Sequence, residues 1–462
     1  PALIKESTQM KEIMNILRVV SESRQAEISP EDNHKVEQIV KWQKETLTQA
    51  ELAFSGSYEP AVQALSDYLS CTPSSDSTAR RFATQMLTEV PEPYRAFETL
   101  SQWLVAINYV IQRAPEFEKE TFPMSKLFVF YMFVPSGNKL FVMNEFNARL
   151  TQVLQAWQTY LDSEESKVVL NPEGTIPAPT GWLSQSAQEQ LCLSQAKNYA
   201  DRTQTYWGFT SYNDFFHREL DLDTYRPLPA NDSNKIVVSA NDGTVYRIAR
   251  DVQYCNQFWL KGQPYSLFDM LGGNAISKEH DVPTPSYLIE PFVGGDVMQS
   301  FLSGADYHRW HAPISGKVVR KQTIEGFTFS ELRSEGFDAS AGTESQGYQA
   351  MVNTRGIVFI EDEFGRGLVA VIPIGITEIS SVEITVDEGQ YVKKGQELGY
   401  FSYGGSTLAL VFQRGMVASF MAEPASDDAQ FPACKSAENC PAEKGCLRVR
   451  SAIAKLHDPQ KC

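Results

Sequence analysis

Ile236-Val-Val-Ser-Ala-Asn-Asp-Gly-Thr-Val-Tyr-Arg-Ile-Ala249 marks where the texture of the chain changes. Two runs rich in Val and Ile flank Asn241-Asp242-Gly243, a turn sequence in which glycine takes φ > 0 without steric cost and Asn and Asp tolerate it. The pattern predicts a β-hairpin. Similar short apolar runs recur at Lys317–Ile324, Arg355–Asp362, Gly367–Ile376 and Ser380–Val386 and read as further strands. From about residue 205 to the end, the chain is therefore expected to be β-rich.

Upstream the period is different. Phe97, Leu100, Leu104, Ile107 and Ile111 recur at spacings of three and four, as do Phe146, Leu150, Val153, Trp157 and Leu161. Each set lies on one face of a helix. Met10, Ile13, Met14, Leu17 and Val20 form a third stripe within Lys5–Val20; core packing is its first reading and a membrane-surface helix its second. Ser163–Trp182 breaks the period with Pro and Gly clusters, a further helical stretch is expected over Ser186–Tyr206, and Ser211 or Asn213 offers a cap for a short helix after it. The expected fold class is α+β, with a helical domain over residues 1–204 followed by a β-rich domain over 205–462.

A chain of 462 residues is long for one core. Its formal charge of −16 disfavours nucleic acid as a partner, because phosphate binding needs basic patches. The same charge disfavours adhesion to an anionic membrane. No stretch reaches the ~18 apolar residues of a membrane span, and Leu127–Val134 fits a buried helix segment better. The first residues are charged and lack the apolar core of a signal peptide, so a soluble cytoplasmic protein is expected. Of seven cysteines, Cys71, Cys192 and Cys255 read as small buried residues. Cys434, Cys440, Cys446 and Cys462 crowd the tail without zinc spacing. Reduced thiols are expected there, with a local disulfide or an adventitious metal as alternatives.

Two stretches near the C-terminus carry more than strand signals. Asp387–Tyr400, DEGQYVKKGQELGY, places two glycine turns around a short strand, as in the barrel-sandwich domains that carry biotin or lipoate. Phe401–Leu410, FSYGGSTLAL, then sets Gly404-Gly405 ahead of Ser406 and Thr407. A tight turn between two strands accounts for the glycines alone, so that reading stands beside any chemical one. Tyr307-His-Arg-Trp-His-Ala-Pro313 is the densest set of reactive side chains, holding two of only six histidines. His308 and His311 could bind zinc if a ligand such as Asp242 joined them, but no HExxH or Cys pair supports that, and no metal is expected.

SANDGTV, DYHRWHAPISGKV and VKKGQELGYFSYGGST, with GFTSYNDFFHREL and the RPL after it as a looser match, occur in that part of the chain. Together these segments resemble the phosphatidylserine decarboxylase family, whose members are pyruvoyl-dependent and self-cleaving. The resemblance covers most of residues 205–425. The helical half, with GWLSQSA before YWGFTSYNDFF, resembles a soluble branch that includes the fungal L-tryptophan decarboxylase of the psilocybin pathway.

The resemblance implies a carboxy-lyase whose cofactor is made from its own chain. Ser406 Oγ would attack the Gly405 carbonyl and turn the peptide bond into an ester; elimination and hydrolysis would then leave a pyruvoyl group at 406. His311 would be the base, oriented by Asp242, and His308 the group that protonates the decarboxylated substrate. These two jobs are carried over from the family and could be exchanged. Asp242 also fits as an ordinary turn residue. The pyruvoyl ketone would form a Schiff base with the substrate amine and act as an electron sink. The expected pieces are residues 1–405 and 406–462, held as two subunits, with a homodimer as the plausible assembly. The favoured substrate is a free aromatic L-amino acid, tryptophan first. Phosphatidylserine is the second reading, since Asp242 and GGST fit the phospholipid enzymes. A non-catalytic barrel-sandwich carrier or scaffold is the reading from another class.

Overall fold

The computed structural model describes residues 30–70, 76–117, 122–173, 181–230, 232–255, 265–378, 381–424 and 445–459. The Lys5–Val20 stripe lies outside them. The first half is helical: α1 (Pro30–Ala53), α2 (Pro60–Leu69), α3 (Ser77–Glu89), α4 (Leu100–Val110), α5 (Pro123–Phe133), α6 (Pro135–Phe141) and α7 (Asn144–Leu161). The two expected stripes fall on α4 and α7. Asp76 caps α3 by accepting from the amides of Thr78 and Ala79 at 2.7 and 3.0 Å, and Thr99 caps α4 through Gln102 N at 3.2 Å. Helix α5 is predominantly apolar and buried on all sides, with Leu127, Phe128, Val129 and Tyr131 in the core. Pro135 holds Val134 extended, which ends α5 and opens α6.

Residues 186–206 do not form the expected single helix. A short helix α8 (Gln185–Gln190) gives way to separate 3-10 turns, because Cys192 takes a left-handed φ of 49° and Tyr206 and Trp207 do the same at 56° and 53°. The next short helix, α9 (Tyr212–Phe216), is capped by Ser211, whose hydroxyl accepts from Asp214 N at 3.0 Å.

The second half carries the strands β1 (Ile236–Val238), β2 (Gly243–Val252), β3 (Gly295–Leu302), β4 (Arg309–His311), β5 (Gly316–Ile324), β6 (Arg355–Asp362), β7 (Leu368–Ile376), β8 (Val382–Ile384), β9 (Tyr391–Val392), β10 (Glu397–Phe401), β11 (Gly405–Phe412), β12 (Val417–Phe420), β13 (Cys446–Leu447) and β14 (Ala452–Leu456). An antiparallel sheet runs β13-β2-β3-β11-β7-β6-β5-β9, and two three-stranded sheets run β1-β14-β12 and β4-β10-β8. The fold is α+β. The two glycine turns around β9 have the expected left-handed backbone, with φ of 84° at Gly389 and 75° at Gly395.

Two expected turns have a different job. β1 and β2 do not pair: β1 joins β14, whereas β2 joins β3 and β13. Asn241-Asp242-Gly243 is thus a crossing between sheets. Asn241 fixes it by donating from Nδ2 to Asp242 O at 2.7 Å and accepting from Ser300 Oγ at 3.0 Å. Gly243 is required there, because a Cβ would sit 2.1 Å from Phe301 O. β10 and β11 likewise belong to different sheets, so Ser402-Tyr403-Gly404 carries the chain across rather than closing a hairpin.

Alternation along β11 sends its side chains to two cores. Leu408 and Leu410 join Leu302, Trp310 and Phe401 on one face; Ala409 and Val411 join Val297, Ile372 and Ile374 on the other. The helical core takes in Phe329 and Tyr403 from the second half, and Phe329 packs edge-on to Phe128 with centroids 4.8 Å apart. The cysteines differ from expectation. Cys192 is half-buried and Cys255 exposed, since both sit in irregular segments. Cys446 is disulfide-bonded rather than reduced.

Phe128 ties α5 to the Phe329 loop, so Phe128→Ala should lower stability by about 3–5 kcal/mol. Urea unfolding followed by circular dichroism measures this.

Candidate active site

Ser406 lies on β11, paired across to Leu302 of β3 and to Gly375 of β7. Strand neighbours and alternation place its side chain on the face of Leu302 and Leu408. It is fully buried, and its Oγ has no hydrogen-bond partner among the described residues. A buried unpaired hydroxyl costs free energy, so its retention calls for an explanation. Upstream, Gly404 has φ 141°, and a Cβ on Gly405 would meet the Phe122 ring at 3.1 Å.

His308 precedes β4 and is fully buried. Its Nδ1 meets Asp306 O at 2.9 Å. A carbonyl only accepts, so Nδ1 carries the proton and Nε2 a lone pair. That Nε2 has no partner among the described residues, and the ring lies beside the Gly404 backbone. Phe216 of α9 covers the ring, centroids 4.2 Å apart. Burial, with the Arg218 guanidinium second, pushes the His308 pKa down to about 3.

His311, on β4, is engaged at both nitrogens. Nδ1 donates to Gly395 O at 3.1 Å, so Nε2 accepts from the Tyr307 hydroxyl at 3.1 Å. Burial pushes its pKa down to about 4. Both imidazoles are therefore neutral at ordinary pH and able to accept a proton.

Asp242 sits at the sheet crossing and bonds neither histidine. Its Oδ1 accepts from Val449 N at 2.7 Å, and its Oδ2 pairs with Arg226 Nη2 at 3.0 Å. Its negative charge is nonetheless among the influences that favour protonation of both rings. The structure thus gathers His308 and the Gly404–Ser406 segment, with Asp242 acting on the histidines at longer range. Among the described residues no hydrogen bond joins Ser406, His311 and Asp242 into a relay.

Several neighbours were missed from sequence. Asp306 is half-buried and accepts from Ser303 N and Oγ at 2.7 and 2.8 Å; desolvation, then the nearby Asp242, raise its pKa to about 6. Arg226 is buried against Asp242, and its place in the RPL segment was the available signal. Thr377 takes φ 60° beside Gly405, and nothing in its sequence context marks it. No cluster of three or more His, Cys, Asp or Glu among the described residues could hold a metal. No described helix is long and apolar enough to cross a membrane.

Residues 212–428 match the family model described as phosphatidylserine decarboxylase, and residues 59–191 match a second model for the same enzyme. The chain belongs to the phosphatidylserine decarboxylase family and is a carboxy-lyase. The decarboxylase iboD of Amanita muscaria is 34% identical over 63% of this chain and 83% of its own length. The L-tryptophan decarboxylase of Psilocybe cubensis is 30% identical over 66% of this chain and 70% of its own length. Phosphatidylserine decarboxylase proenzyme 2 of Oryza sativa is 27% identical over 56% of this chain and 36% of its own.

Removing one partner of the buried Asp242–Arg226 pair strands the other charge. Arg226→Leu should cost about 3–5 kcal/mol, read from denaturant unfolding.

Proposed function

We propose that the chain cuts itself between Gly405 and Ser406 and then decarboxylates a free aromatic L-amino acid, with tryptophan first. The observation that carries this is the Ser406 hydroxyl: buried, without a hydrogen-bond partner, and directly after two glycines, the first of which lies beside the His308 ring. The word proenzyme in the relatives' names supports processing. Two relatives that cover about two thirds of this chain are fungal decarboxylases, one named for L-tryptophan, whereas the rice phospholipid enzyme covers 56%. That difference favours the amino acid over phosphatidylserine.

In maturation, Ser406 Oγ attacks the Gly405 carbonyl carbon while a histidine takes its proton. That proton returns to the departing amide nitrogen, giving an ester between Gly405 and Ser406. Elimination frees the Gly405 carboxylate and leaves dehydroalanine at 406; water then enters and ammonia leaves. The residues present fit this product, because position 406 is fully buried and its Oγ makes no hydrogen bond that conversion to a ketone would break. When formed, the group supplies an electron sink for loss of CO₂.

The family resemblance gives the maturation base to His311, with Asp242 favouring its protonated form. In the uncut chain the Tyr307 hydroxyl holds His311 Nε2 and must release it first. His308, with Nε2 free beside Gly404, suits proton delivery to the substrate carbon. Arg218 and Phe216 keep that imidazole neutral and dry until then.

On a denaturing gel the purified protein should run as residues 1–405 and 406–462, while Ser406→Ala stays whole and releases no CO₂ from any substrate. His311→Ala should stay whole, and His308→Ala should split yet lack decarboxylation; the opposite pattern would exchange their roles. Because burial lowers the His311 pKa, the neutral base persists as pH falls through 6.5. The splitting rate should therefore hold until pH approaches about 4. An inflection near 6.5 would point to an exposed base. CO₂ release from free tryptophan, other amino acids and phosphatidylserine vesicles decides the substrate; release from vesicles alone would overturn the amino-acid reading.

A further inference from the structure

The residue two positions before the proposed scissile carbonyl is Tyr403, and its surroundings belong to the other half of the molecule. Four rings meet it edge-on: Phe122 at 5.4 Å, Trp157 at 5.6 Å, Tyr212 at 5.3 Å and Phe216 at 5.2 Å between centroids. Interplanar angles of 76–88° are the arrangement in which a ring edge is attracted to a ring face. Phe122 precedes α5, Trp157 lies on α7, and Tyr212 and Phe216 lie on α9. Tyr403 is buried with them in the helical core. Next to it, Ser402 Oγ accepts from Gln158 Nε2 of α7 at 3.2 Å.

Between Tyr403 and Ser406 stand two glycines, which lose more conformational freedom on ordering than any other residue. From Gly405 onward the chain is held by the ladder to β3 and β7. Upstream of Gly404, the ring socket is the corresponding hold. Attack on a neighbouring carbonyl needs the reacting atoms at near-contact distance and in line, a geometry that a freely hinging Gly404 would rarely present. We infer that Tyr403 is a positioning residue for scission, and that the helical half serves maturation by gripping it. The inference rests on the self-cleavage reading.

The test follows splitting of freshly made full-length chain on denaturing gels, with thermal unfolding measured in parallel. Tyr403→Ala should fold and split roughly 100-fold more slowly, the scale of a misplaced reacting atom. Tyr403→Phe keeps the ring and should split at the wild-type rate. Trp157→Ala removes one wall and should slow splitting in the same sense, which decides the matter if Tyr403→Ala fails to fold. Leu150→Ala, a cavity in the helical core away from Tyr403, should lower the unfolding midpoint without slowing splitting. Tyr403→Ala splitting as fast as wild type, or Leu150→Ala slowing it equally, sinks the socket alone. A wild-type chain that never splits sinks the self-cleavage reading and the socket with it.

Discussion

Strand β11 is hydrogen-bonded along both edges, to β3 and to β7, and every residue from Gly405 to Phe412 is buried. That ladder is the constraint on which the rest depends. It fixes the orientation of Ser406 by simple alternation: once Ala409 and Val411 face one core, Ser406 must face the other, with Leu302 and Leu408. A slip of one residue would turn the hydroxyl to the opposite core and put Thr407 in its place. Thr407 is itself locked on the opposite face, donating to Ser300 O at 2.8 Å and accepting from Gln299 Nε2 at 3.0 Å. The orientation of the Ser406 side chain is thus a property of the sheet.

Much of this was legible in the residues and some was not, for identifiable reasons. The stripes through Leu104 and Leu150 became α4 and α7 because periodic burial is a local signal. The strand runs at Arg355 and Gly367 held for the same reason. Asn241-Asp242-Gly243 and Ser402-Tyr403-Gly404 were readable as turns, but turn residues report the backbone they allow and say nothing of which strand the chain joins next. Both proved to be crossings between sheets. Asp242 could be singled out, yet its pairing with Arg226 and Val449 depends on segments far apart in sequence. The helix expected over Ser186–Tyr206 failed where Cys192 adopts a left-handed backbone that composition does not announce.

The two halves are organised around different physics. The helical half is held by large aromatic and aliphatic side chains, with capped helix starts and an α5 buried along most of its length. The sheet half buries a polar set, including His308, His311 and Asp242 beside the half-buried Asp306, whose charges are governed by one another and by desolvation. The Ser125 amide and hydroxyl of α5 also reach across, to the Glu378 carboxylate at 2.8 and 3.0 Å.

The arrangement of the last strands carries a consequence for assembly. Beyond Ser406, β11 occupies the interior of the large sheet, β13 lies at its edge, and β12 and β14 form a sheet with β1. The C-terminal piece is threaded through two sheets built mostly or partly by the piece before it. A break at 405–406, as proposed above, would leave two chains that share these sheets strand by strand, so parting them would mean unzipping the ladders of β11 and β14.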